Sequence, residues 1–166
     1  MTRFVFKMPE ITEKLPVCPD GTDIGILYYL FSKNSTPFVD VMHEEQGPVV
    51  YCKEIAYAYK SLMKHTNIAA CGRVRIFADT RCYSYAKPYF EQIGLLPLVR
   101  WISVCAGWHY TGYMRLLSSE EFAGCRYTFF FDADHWFAGF DRNPFDFTQL
   151  CAHLDGTDEL LSLIHI

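Results

Sequence analysis

The chain has 166 residues, 51% of them hydrophobic and 20% charged, and a net charge of −4, enough length and apolar content for one domain with a filled core and too much for a disordered chain. Its Lys and Arg residues are scattered rather than gathered into a basic stripe, which excludes the electrostatic footprint of a nucleic-acid binder. Apolar runs are short and broken by charge or Gly, whereas a membrane span needs roughly 20 apolar residues in a row, so no membrane segment is expected.

Met1 to Glu10 carries Arg3 and Lys7 but neither an apolar stretch nor a small-residue cleavage site, unlike a secretory signal; the expected location is cytoplasmic. The cysteines (Cys18, Cys52, Cys71, Cys82, Cys105, Cys125, Cys151) are odd in number and form no CxxC pair, so reduced thiols in or near the core are expected rather than a disulfide framework.

After a polar lead containing Pro9, Pro16 and Pro19 and the Asp20-Gly21 turn, the run Ile24 to Phe31 suits a buried strand. Lys33 to Pro48 is rich in turn formers and reads as a surface loop. Ile55, Ala58, Tyr59, Leu62 and Met63 recur at helical spacing and predict an amphipathic helix over Tyr51 to Lys64. A second strand follows over Arg73 to Ala78, a helix over Ser84 to Ile93 ending at Gly94, and a third strand over Leu98 to Val104. Gly112 to Phe122 completes the series as a helix and Thr128 to Phe131 as a fourth strand. Strands alternating with helices imply parallel pairing through right-handed crossovers. The predicted fold class is therefore α/β, Rossmann-like.

Sheets of this kind bind ligands at the carboxyl ends of their strands, which here are Ser32, Asp79, Cys105 and the Asp132 to Asp134 segment. The last is the most informative. Phe129-Phe130-Phe131 runs straight into Asp132-Ala133-Asp134, two hard oxygen donors where an aromatic strand meets solvent. Such a pair suits Mn²⁺ or Mg²⁺ whose shell is completed by substrate phosphates, although Asp is also an ordinary turn or cap residue after a strand. Asp79-Thr80 is open to two readings in the same way, a hydrogen bond to a ribose or base and a helix N-cap. His135 adjoins the acids and is open to a metal-ligand reading, but alternation along an extended chain turns it away from Asp134 and favours a structural role or one supporting the ligands. The three Trp and the many Phe and Tyr are assigned to core and rim.

An apolar strand followed by Asp-x-Asp after three βα units resembles the DxD motif of GT-A glycosyltransferases. Tyr113-Met114-Arg115-Leu116 is similar to the Tyr-x-Arg-Leu helix that precedes that motif in glycogenin-like and lipopolysaccharide-galactosyltransferase-like enzymes, with Arg115 lying 17 residues before Asp132. Downstream, Trp136 to Phe140 and Asn143-Pro144-Phe145 resemble the strand and helix start that follow it. Upstream, Ala56 to Leu62 resembles the first helix. The resemblance covers roughly residues 24 to 150 and is sharp only around the acids.

It implies a GT-A sheet in which Asp132 and Asp134 hold Mn²⁺ or Mg²⁺. It further implies that Arg115 contacts the donor sugar or the first acid, as a catalytic and donor-binding residue, and that Ser32 and Asp79 face the nucleoside. The donor would be a nucleotide-diphospho-sugar, with a UDP-sugar favoured, and the acceptor a sugar, protein or lipid. Ser32 stands where related enzymes often have an Asp or Thr against the base, which leaves the base open.

On this reading residues 1–160 form a single, C-terminally truncated donor-binding domain, expected to be inactive alone. Residues 161–166, Leu-Ser-Leu-Ile-His-Ile, read as a translated sequencing-adapter scar; alternatively, Leu160 to Ile166 begins another buried strand. Two alternatives stand beside it. A haloacid-dehalogenase-type phosphatase also runs a strand into Asp-x-Asp, but there the motif ends the first strand and no Trp follows as Trp136 does here. A non-catalytic nucleotide-binding or interaction fragment is the other.

Overall fold

The computed structural model describes residues 9–30, 49–103, 119–131, 135–138 and 144–156. Its centre is a four-stranded parallel sheet. The strands are β1 (Ile24–Leu30), β2 (Gly72–Asp79), β3 (Val99–Ile102) and β4 (Tyr127–Phe131), in the order β3-β2-β1-β4. The helices are α1 (Val49–His65), the short α2 (Ile68–Cys71), α3 (Tyr83–Gln92) and α4 (Phe147–Asp155). The α/β class and the parallel pairing expected from the alternating pattern are both observed. The loop expected over Lys33 to Pro48 and most of the helix expected over Gly112 to Phe122 lie outside the described residues, although residues 119–121 are helical.

Side chains alternate between the two faces of the sheet. Ile24, Ile26, Tyr28 and Leu30 of β1, with Val74, Ile76 and Ala78 of β2, face the main core. The helices α1, α3 and α4 close this face with Ile55, Tyr59, Leu62, Ala86, Phe90, Phe147 and Cys151. The helical spacing read in α1 is the buried stripe, with Ile55, Ala58, Tyr59 and Leu62 inside. The α3 helix stops in a Schellman motif: Leu95 N–H donates to the Phe90 carbonyl at 2.8 Å and Gly94 N–H to that of Glu91 at 3.2 Å. Gly94 takes φ +80°, where L side chains are strained.

The lead before β1, polar by composition, is part of this core. Ile11, Leu15 and Cys18 are buried, and the Tyr59 hydroxyl pins the segment by donating to the Pro16 carbonyl at 2.6 Å and accepting from Cys18 N–H at 2.8 Å.

Leu27, Tyr29, Phe77 and Ile102 face the other way and meet Phe122. Gly25 allows that contact: a Cβ there would come within 2.5 Å of the Phe122 ring. The same face carries a charged network. Arg75, 5% exposed, forks onto Asp20 at 2.9 and 3.0 Å and donates to Glu121 at 2.8 Å. Arg100 donates to the other Glu121 oxygen at 2.7 Å and Arg73 to the Glu121 carbonyl at 2.9 Å.

The described cysteines are all free thiols, five of them buried, as the odd count led one to expect. Burial pushes the Cys18 thiol up to about 11. Among the described residues no helix is long and apolar enough to cross a membrane.

Candidate functional site

The connections decide where a ligand belongs. β1 passes to β2 through α1, and β2 to β3 through α3, both across the helical face. The chain then returns to the far side of β1, and its last stretch before β4 brings Phe122 onto the opposite face. The strand order therefore reverses between β1 and β4, and in open parallel sheets the crevice outside the carboxyl ends at such a reversal is the ligand site. β1 and β4 pair from Ile24↔Tyr127 to Tyr28↔Phe131. Asp132, the next residue, thus follows the end of β4 at that reversal. Asp132 and Asp134 themselves, with Ser32, Cys105 and Arg115, lie outside the described residues.

Both flanks of the acidic pair are held by aromatic packing. Phe131 meets Tyr28 at 6.1 Å, Phe129 at 6.4 Å and Phe137 edge-on at 5.6 Å between ring centroids. After the acids, the His135 ring lies 6.3 Å from that of Phe131. Phe137 N–H donates to Ser61 Oγ of α1 at 2.9 Å, and Trp136 packs on Tyr57 of α1 at 5.9 Å while staying 48% exposed. Residues 135–138 belong to no strand, unlike the strand suggested by resemblance, since the Phe137 amide bonds a side chain rather than a ladder partner. The helix start suggested near Asn143-Pro144-Phe145 is found as α4, capped by Asp146, which accepts from Thr148 N–H at 2.8 Å.

Asp79 closes β2 at the same edge of the sheet and is fully buried. One oxygen accepts from Arg81 N–H at 2.9 Å, capping the 3₁₀ turn Thr80–Cys82, so the N-cap reading holds. The other oxygen accepts from Arg81 Nε at 2.8 Å and also from Nη2. Burial raises the Asp79 pKa, but the hydrogen bonds and charge of Arg81 outweigh it and hold the carboxyl below its ordinary value. A ribose contact from Asp79 would have to share oxygens already taken up by Arg81.

Sequence reasoning missed Arg81 and Ser61. For Arg81 the signal was its place two residues after an N-cap Asp, which lets the side chain fold back on the cap. For Ser61, one polar residue in an otherwise ordinary helix, nothing marked it.

Among the described residues no three His, Cys, Asp or Glu side chains gather as a metal site. Asp132 and Asp134, the pair expected from the sequence to hold a divalent ion, lie outside the described residues. Comparison with protein-family models, with curated proteins and with solved structures returns no match in any of the three.

Proposed function

We propose that this chain is the nucleotide-sugar-binding part of a metal-dependent glycosyltransferase of the GT-A type. One observation carries the reading: β4 runs directly into Asp132-Ala133-Asp134 beside β1, at the reversal of strand order in a parallel sheet. A carboxylate pair in that crevice suits Mn²⁺ or Mg²⁺ and a diphosphate ligand. A UDP-sugar is the favoured donor, and a sugar, protein or lipid the acceptor.

On this reading Asp132 and Asp134 hold the ion, which when bound neutralises charge growing on the departing diphosphate. The rest is positioning by the chain. The Phe131 cluster and the Phe137–Ser61 bond fix the chain on either side of the acids. Arg115 contacts the donor sugar or the first acid, and Ser32 lies toward the nucleoside. The phosphatase alternative is disfavoured because its motif ends a first strand, whereas β4 is preceded by β1, β2 and β3.

Titration of UDP, then GDP, by calorimetry with and without Mn²⁺ tests the proposal, using the chain and its Asp132→Asn and Asp134→Asn variants. Heat seen only with metal and lost in either variant is the expected result. No nucleotide binding by a folded chain overturns it, as does hydrolysis of a generic phosphoester such as p-nitrophenyl phosphate that requires Asp132.

A further inference from the structure

The lead segment and α1 enclose a groove of about 370 Å³. One wall is the lead from Glu13 to Pro16 and the other the second half of α1 from Tyr59 to Lys64. Both walls are fixed. Leu15 N–H donates to the Ile93 carbonyl at 2.8 Å and the Tyr59 hydroxyl to the Pro16 carbonyl at 2.6 Å, while Lys60 pairs with Glu13 from one wall to the other. Because α1 leads from the end of β1 back to the start of the parallel β2, this half of the helix lies away from the carboxyl ends of the strands.

The groove is apolar below and basic above. Leu15 is buried and Met63 half-buried against the main core, and with the Tyr59 ring they make the floor. Lys14 and Lys64 are exposed and stand with Lys60 at the rim, their stems along apolar surface and their charges in water. Three lysines thus meet one glutamate, and Glu13 is already engaged by Lys60. Among the described residues Lys14 and Lys64 have no carboxylate partner. The local excess is positive on a chain whose net charge is −4. Lys64 sits in the last turn of α1, where the helix dipole favours a cation. Lys14 is on no helix, so the dipole does not account for the pair.

This shape selects among anionic partners. A bilayer presents its charges in a plane and does not reach a floor recessed between two walls, and a nucleic acid calls for a longer basic stripe. An extended peptide fits. Lys60 and Lys64 stand about 6 Å apart along α1, close to the spacing of about 6.6 Å between alternate residues of an extended chain. Successive side chains of such a chain point opposite ways, so an acidic–apolar–acidic segment sets its acids at the rim and its apolar side chain on the floor.

We propose that this groove docks an acidic peptide segment of a partner protein, with an apolar side chain such as Leu seated on Leu15 and Met63 and flanking carboxylates meeting Lys14 and Lys64.

The test is fluorescence anisotropy of a labelled, end-capped peptide, Asp-Glu-Leu-Glu-Asp, titrated with the full chain, with circular dichroism as the check of folding. Binding that weakens as salt rises is expected. Replacing the peptide's Leu by Ser should weaken it about tenfold, through loss of one buried apolar side chain. Reversing both free charges, Lys14→Glu with Lys64→Glu, should weaken it more than tenfold, and Lys14→Gln or Lys64→Gln alone about twofold to fivefold. Lys87→Glu reverses a charge on α3, outside the groove, and should leave binding unchanged, which separates docking from general attraction. Mn²⁺-dependent binding of UDP should be the same in the doubly reversed chain, so this proposal and the donor site fail separately. No binding by the unaltered chain, equal weakening by Lys87→Glu and by the double reversal, or co-sedimentation with phosphatidylserine vesicles that the peptide does not displace overturns the assignment.

Discussion

The two faces of the sheet are held by different forces. On the helical face, three helices and the lead segment bury Ile55, Tyr59, Leu62, Phe90 and Phe147 against β1 and β2, and the stabilisation is apolar area removed from water. On the opposite face, among the described residues, Leu27, Tyr29, Phe77, Ile102 and Phe122 form a smaller core, and Glu121 anchors its segment by receiving Arg75 and Arg100. Apolar packing is indifferent to salt and pH over a wide range. An ion network fixes an orientation and register but answers to both. One face therefore supplies stability and the other holds the approach to β4, and with it the end of the strand that leads to Asp132.

The largest effect is expected on the helical face. Phe90→Ala empties a fully buried position in α3 and should cost about 3–5 kcal/mol, measured by urea unfolding, with no change when salt is raised.

On the charged face, Glu121→Gln leaves Arg75 buried with Asp20 as its carboxylate partner, and the Asp20 side chain is 57% exposed. The expected cost is about 1–3 kcal/mol, discounted from the value for a fully buried pair because solvent screens it. Unlike the Phe90 effect, this one should shrink at high ionic strength. A cost equal to that of Phe90→Ala at every salt concentration would erase the distinction between the faces.

Acid should separate the faces further. Burial raises the Glu121 pKa, but hydrogen bonds from Arg75 and Arg100 and their charges win and hold it below the ordinary glutamate value. The Asp20 carboxyl is likewise lowered, chiefly by its hydrogen bond from Arg75. With folded values below unfolded ones, this stability is present above the unfolded value of about 4.3 for Glu and is lost as pH falls through the folded value. Unfolding free energies at neutral and at acid pH should therefore converge between the unaltered chain and Glu121→Gln as the pH drops, while the Phe90→Ala difference persists.

The smallest effect is expected at Lys60. Its pair with Glu13 joins side chains that are 44% and 60% exposed, so Lys60→Ala should shift stability by no more than about 0.5–1 kcal/mol in the same assay.

The main-core elements were the most legible in sequence. The helical stripe of α1, the end of α3 at Gly94 and the apolar runs of β1 and β2 all lie within a residue or two of their expected bounds, because each follows from local periodicity or a local turn preference. The lead segment was not legible as core: Ile11, Leu15 and Cys18 follow no strand or helix period, and they are buried by joining the main core, where Tyr59 and Ile93 hold the segment by hydrogen bonds. Of the site, the carboxylate pair was visible as a motif, but the sheet order that sets β4 beside β1 was not. Asp79 was visible as a strand-end acid, with its engagement by Arg81 left undetermined, since a cap and a ligand contact begin from the same residue.

The alternation of strands and helices, the parallel sheet that alternation requires and the residues at the strand ends can all be read along the chain, because these depend on neighbours a few positions apart. Which strands adjoin, which face is apolar and which ionic, and that Arg81 rather than Asp79 is turned toward solvent emerge once the chain is folded. Those outcomes are settled by contacts between segments tens of residues apart, such as Asp20 with Arg75 and Ser61 with Phe137, where packing and electrostatics act with no trace in local spacing.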